Sequence, residues 1–235
     1  MILGIIKKSG KYRKGERNGK GKEYIINTNE LIFEGEYVNG KRNGKGKEYN
    51  FKGKLIFEGE YVNGKRNGKG KEYNFKGKLE FEGEYVNGKR NGKGKEYYYR
   101  DKLKFDGEYL NGKRWNGNGY NINGNIVFKI KNGKGNIKEY NYYNGIIEFE
   151  GEYLNGEKNG KGKEYDSTGF LIFEGEYLNG KRNGKGIEYD SDGESIFEGE
   201  YLNGERKEYY FKRKLNVKEM ESYSDSDSED EYLWI

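Results

Sequence analysis

The 235-residue chain has no cysteine, no histidine and no proline. Without cysteine there are no disulfides and no thiolate metal sites. Without histidine the commonest general base and transition-metal ligand is missing. Apolar residues make up only 31% of the chain against 36% charged, too little aliphatic surface for a conventional globular interior. Long hydrophobic runs are absent too. The start, MILGIIKKSG, holds Ile2, Leu3, Ile5 and Ile6, but it is too short for a membrane span and lacks a signal peptide's length and cleavage pattern. No Asn-x-Ser/Thr acceptor occurs. The expectation is a cytoplasmic protein with no catalytic residues, no metal and no cofactor, whose Asp and Glu recur periodically on the surface and form no singular cluster.

What is present opposes disorder. Aromatic residues reach 16%, with 24 tyrosines and 12 phenylalanines over 39 glycines, and the net charge is only +5. The order behind these numbers is a repeat. FEGEY begins at Phe33, Phe57 and Phe81, FDGEY at Phe105, and FEGEY again at Phe149, Phe173 and Phe197, with 24-residue spacing inside each group. NGKGKEY recurs at 18–24, 43–49, 67–73, 91–97 and 159–165. The interval from Phe105 to Phe149 is 44 residues, four short of two periods, and holds an irregular unit at about 113–148 with an inserted Trp115. Incomplete first and last units suit the ends of a stack. The domain reading is a lead-in over 1–9, a repeat array over 10–220 and an acidic, disordered tail over 221–235.

Within a period, LIFEGEYVN alternates: Leu55, Phe57, Gly59 and Tyr61 on one face, Ile56, Glu58, Glu60 and Val62 on the other. That predicts a half-buried strand, and KGKEYNF predicts the returning one. The stretch NGKRNG reverses the chain, since Asn and Gly tolerate positive φ. NFKG, DSTG and DSDG make the next reversal as type I turns ending in a left-handed residue. A loop over 63–68 is the favoured register. It sets Val62 opposite Lys69, Glu60 opposite Lys71 and Tyr61 over Gly70 as an aromatic covering glycine. The rival, a two-residue turn at Asn63-Gly64, sets Phe57 opposite Gly70 and Glu58 opposite Lys69. Either way the fold class is all-β, an elongated single-layer antiparallel hairpin meander. At about 4.8 Å per strand it spans roughly 75–80 Å.

FEGEYVNGKRNGKGKEY resembles the MORN repeat, whose pattern runs aromatic-Glu-Gly, Asn-Gly, Gly-x-Gly and an aromatic. The common pattern places that last aromatic two positions after the second glycine; here Tyr49 follows Gly46 by three. GKxKEY followed by GKLIFEGEY is similar to the second MORN subtype, found in the YwqK-type component of bacterial toxin–antitoxin systems. The resemblance implies an exposed, curved β-sheet without its own catalytic centre, serving as a scaffold, a peptide-binding groove or a membrane-apposed module.

Four candidate sites follow. GKRNGKG has three residues between the glycines where a phosphate loop has four, and no Ser or Thr after the lysine, so it is read as a turn. Phe57, Tyr61, Phe81, Tyr85, Phe105, Tyr109, Trp115, Phe149, Tyr153, Phe173 and Tyr177 are read mostly as the fold's own core. Because a single layer cannot bury both faces and an exposed aromatic surface marks a partner site, they are also the expected partner-binding face. Its natural ligand is a peptide or helix of a protein partner. A basic edge is expected from Lys41, Arg42, Lys45, Lys65, Arg66, Lys69, Lys89, Arg90 and Lys93, suited to anionic phospholipid or simply to guarding the sheet edge. Residues 1–104 carry 27 Lys and Arg against 14 Asp and Glu, while 105–235 carry 18 against 26, so any phosphate contact favours the first half. No nucleic-acid-binding motif is present. In the tail ESYSDSDSEDEYLWI, Ser224, Ser226 and Ser228 sit among acids as candidate phosphorylation sites; the tail reads as a solubilising segment or as one that folds back on the basic first half of its own or a neighbouring molecule. A scaffold binding protein through the aromatic face is the leading functional reading, and a peripheral membrane module is the alternative.

Overall fold

A computed structural model describes residues 6–99 and 101–207. Strands β1 to β6 are Ile6–Arg13, Glu16–Ile25, Leu31–Val38, Lys41–Tyr49, Leu55–Val62 and Lys65–Tyr73. β7 to β12 are Leu79–Val86, Lys89–Tyr98, Lys102–Leu110, Lys113–Tyr120, Ile126–Ile130 and Gly135–Tyr140. β13 to β18 are Ile147–Leu154, Glu157–Tyr165, Leu171–Leu178, Lys181–Tyr189, Ser195–Leu202 and Glu205–Arg206. Each strand pairs antiparallel with the next, giving one sheet of β1–β11 and a second of β12–β18. The described residues contain no helix. The all-β hairpin meander read from the periodicity is the fold.

The hairpin register differs from the favoured one. The loop over 63–68 does not form. Instead Asn63 (φ 50°) and Gly64 (φ 85°) make a two-residue turn with both residues left-handed, the type whose twist matches the flanking strands. Val62 pairs with Lys65 and Tyr61 with Arg66, then the register shifts so that Gly59 faces Gly70, Glu58 faces Lys71 and Phe57 faces Glu72. The rival turn was therefore right and its onward pairs were not. A bulge places Asn67, Gly68 and Lys69 opposite Glu60 alone. The other reversal is as expected: Gly53 is left-handed, its N–H donates to Asn50 O at 2.9 Å, and Asn50 Oδ1 accepts from the N–H groups of Lys52 and Lys54.

Bringing Gly59 and Gly70 together lets one layer of sheet bury its rings. A Cβ on Gly70 would lie 2.5 Å from Cζ of Phe57, so the ring rests on bare backbone. Its edges meet Tyr61 and Tyr85 at centroid distances of 5.7 and 5.3 Å, both T-shaped. The unit repeats as Phe33–Tyr61 and Phe81–Tyr109, and again as Phe149–Tyr177 and Phe173–Tyr201.

The ladder changes at the centre. Trp115 is the extra residue of a bulge between Arg114 and Asn116. Phe128 stacks on Phe105 where a tyrosine would otherwise stand, and Ile130 and Ile137 finish the first cluster. β11 and β12 are joined by the bridge Lys131–Lys134 in place of a ladder. A spine of turn-to-turn hydrogen bonds nevertheless runs across. Gly64 N donates to Arg42 O, Gly88 N to Arg66 O and Gly112 N to Arg90 O. The series continues from Gly133 N to Trp115 O and from Gly156 N to Gly133 O.

Candidate functional site

Over the phenylalanines lies an ionic roof. Arg42, Arg66 and Arg90 hold their guanidinium carbons 3.9, 3.9 and 4.0 Å from the ring centroids of Phe33, Phe57 and Phe81, an attraction of cation for ring face. Each roof carboxylate bridges two arginines. Glu48 accepts from Arg42 and Arg66 and from the Tyr61 hydroxyl at 2.9 Å. Glu72 pairs with Arg66 and Arg90. Glu96 pairs with Arg90 and Arg114 and accepts from Tyr109 at 2.6 Å. Burial by itself would raise the Glu96 pKa, but the charge and hydrogen bonds of Arg114 outweigh it and hold the carboxyl down at about 2. Burial, reinforced by Glu48, pushes the Tyr61 hydroxyl up. In the second sheet Lys158 takes the arginine's place over Phe149, 3.9 Å from its centroid, while Arg182 and Arg206 keep it over Phe173 and Phe197.

On the opposite face a second polar ladder runs. Tyr49 donates to Glu34, Tyr73 to Glu58, Tyr165 to Glu150 and Tyr189 to Glu174. Lys47 pairs with Glu58, Lys138 with Glu150 and Lys163 with Glu174. In the second sheet this face lines a groove of about 2070 Å³. Its walls include Lys138, Glu150, Lys163, Glu174, Ile187, Ile196 and Glu198, and the glycine backbone of 151, 162, 175 and 186 runs along it. Ile187 stands where the other units carry lysine.

The structure brings the expected aromatic residues together and then covers them. Phe57, Phe81, Phe105 and Phe173 are fully buried, and Tyr61, Tyr85, Tyr109, Phe149 and Tyr177 nearly so; Trp115 and Tyr153 are half-buried. The expectation that a single layer leaves its rings as an open face is corrected. Glycine beneath, tyrosine beside and an arginine or lysine above enclose the phenylalanines of the ladder.

The basic edge keeps its six lysines and loses its three arginines. Arg42, Arg66 and Arg90 belong to the roof, each paired with two glutamates. Lys41, Lys45, Lys65, Lys69, Lys89 and Lys93 are exposed, beside an exposed aliphatic row of Val38, Val62, Val86 and Leu110. Two features escaped the sequence reading although the same 24-residue period carries them. One is the tyrosine–glutamate ladder. The other is a row of exposed rings on the opposite turn edge, Phe51 and Phe75. Ser224, Ser226 and Ser228 lie outside the described residues.

Comparison with known proteins places the repeat in a described family. The family model for the MORN repeat matches residues 9–28, 33–53, 57–77, 81–100, 149–169 and 173–195, more than half of the chain. No curated protein matches the chain. Among solved structures, one described as the crystal structure of TcdB2-TccC3-Cdc42 is similar at 10% identity and a TM-score of 0.21. The match covers 81% of this chain and 12% of that one.

Proposed function

The chain belongs to the MORN-repeat family, and on that premise we propose that it is a non-enzymatic scaffold which holds a protein partner against its sheet. Family membership supports a repeat scaffold. The observation that carries the finer reading is the groove on the face opposite the aromatic ladder, walled by alternating Lys and Glu and lined with bare glycine backbone. An extended or helical segment fits such a groove and meets charges of both signs at a regular pitch. The aromatic ladder's part is rigidity: it holds the face in shape, and the roof keeps its rings from the partner. Cytoplasmic placement, free or peripheral at a membrane or cytoskeleton, goes with this reading.

The test is affinity capture from the native cell with the intact chain and with the triple variant E150K/E174K/E198K. A partner retained in high salt by the first and lost by the second is the expected result. A partner retained equally by both sinks the groove.

A second reading, a membrane module, has one specific support. Exposed lysines 41, 65 and 89 stand across the turn from exposed Val38, Val62 and Val86, a pairing suited to an anionic surface. Salt-sensitive co-sedimentation with anionic vesicles, reduced by K41E/K65E/K89E, would establish it. Absence of sedimentation at low salt removes it.

A further inference from the structure

Two consecutive long turns, on the edge away from the Asn-Gly spine, share one chemistry. Asn50-Phe51-Lys52-Gly53-Lys54 and Asn74-Phe75-Lys76-Gly77-Lys78 each combine two lysines with a phenylalanine and contain no acid. Phe51 is 66% and Phe75 62% exposed, and all four lysines are exposed. The turn geometry does not need the rings. It is held by Asn50 Oδ1 and Asn74 Oδ1, which accept from the N–H groups of Lys52, Lys54, Lys76 and Lys78. The edge continues into Tyr143, 46% exposed, whose ring lies 5.2 Å from Lys76 Nζ. Two corresponding turns of the second sheet read Asp166-Ser167-Thr168-Gly169-Phe170, its phenylalanine also exposed, and Asp190-Ser191-Asp192-Gly193-Glu194; neither holds a lysine. The edge is thus aromatic and basic at these two turns of the first sheet, and acidic without lysine at the two turns of the second.

A ligand complementary to the first part needs several acids next to large apolar side chains, and it must be repelled by the second part. The chain contains such a segment. Residues 221–235 hold six acids, no Lys or Arg, and end in Tyr232-Leu233-Trp234-Ile235; they lie outside the described residues. We propose that this tail docks along the edge formed by Phe51, Lys52, Lys54, Phe75, Lys76 and Lys78. Its acids lie on the lysines and its apolar end on the two phenylalanines. Reach permits it. The 25 residues from Lys207 to Tyr232 span up to about 80 Å, and the thirteen strand positions from β18 back to β5, counted through both sheets and the bridge that joins them, cover about 62 Å. The same edge of a second copy is equally open to it. The Asn-Gly edge is a poorer match, because exposed Glu36, Glu60 and Glu84 alternate with its lysines.

The test uses the full chain with a photo-crosslinking p-benzoylphenylalanine in place of Trp234, followed by peptide mapping. Adducts are expected within 50–54 and 74–78. Their yield should fall at least tenfold in K52E/K54E/K76E/K78E and in F51A/F75A, and stay within twofold in K41E/K65E/K89E. All of these side chains are exposed, and circular dichroism checks that each variant folds. A synthetic 221–235 peptide added to the unmutated chain should compete the adducts away. A yield independent of protein concentration assigns docking to the tail's own molecule, and a rising yield assigns it to a neighbour; either outcome carries the proposal. Adducts scattered as in the urea-unfolded chain, adducts gathered in the second sheet or its groove, or equal loss in both lysine variants would overturn it. None of these results bears on whether a partner binds the groove.

Discussion

Gly70 lies beneath the Phe57 ring, and a methyl group there would sit 2.5 Å from Cζ and 3.2 Å from Cε2 of Tyr85, where only two buried rings could yield. Gly70→Ala is expected to cost about 1–3 kcal/mol through overpacking, read as a lower urea midpoint with the slope retained. Gly64→Ala is a different case at the same residue type. Nothing lies within 4 Å of the added methyl, but the φ of +85° disfavours any side chain, so a loss of about 1 kcal/mol is expected. A Gly70→Ala chain as stable as the unmutated one would argue against the ring-on-backbone packing.

Glu96 gives the residue scale its pH dependence. Its carboxyl is held at about 2 in the folded chain against about 4.3 when unfolded. A depressed folded pKa contributes stability that is complete above the unfolded value and is lost as pH falls toward the folded one. Glu23, Glu164 and Glu188 are shifted the same way. The urea midpoint should therefore be level near neutrality and decline between about pH 5 and pH 2. Glu96→Gln should lower the unfolding free energy by on the order of 3 kcal/mol at pH 7, by leaving Arg114 without its buried partner, and should flatten the acid decline. A steep, unchanged decline in that variant would remove Glu96 from the account.

At the scale of the element, the hairpin is two different turns with a bulge between them. The short turn needs Asn and Gly for left-handed backbone, and the long one needs an Asx side chain to hold two N–H groups. Asn50→Ala removes both of those hydrogen bonds, at an expected cost of about 1–2 kcal/mol. Hydrogen exchange should show faster opening at Lys52 and Lys54, with the turn at Asn63-Gly64 unchanged. Opening that spreads to both turns would mean the hairpin is one unit and not two.

At the scale of the whole molecule, each strand touches its neighbours and little else, so stability accrues unit by unit. Deleting residues 57–80 removes one 24-residue period and joins Ile56 to Phe81, restoring FEGEY, the roof and the turn spine. The shortened chain is expected to fold, with the same circular dichroism per residue and a Tm lower by a few degrees. Collapse of cooperative unfolding would contradict a one-dimensional array. The seam at β11–β12 is the place where the array is held least, by the turn spine and by ion pairs such as Lys113–Glu157 at 2.7 Å.

Much of this was legible in the chain itself. The 24-residue period, the alternation of LIFEGEYV and the Asn-Gly and Asx turns are local patterns, and local backbone preferences are enough to express them as hairpins. Where the rings end up was not legible. The bulge at residues 67–69 moves the register by two positions, and nothing in one hairpin distinguishes that shift from a longer loop. Its advantage appears only when Gly59 meets Gly70 and the ring settles on both. Arg66 reads as an edge charge until Glu48 and Glu72, on strands to either side, converge on it above Phe57. Coverage of the aromatic ladder, and with it which face stays open, depends on contacts between successive units, and those exist only once the strands are stacked.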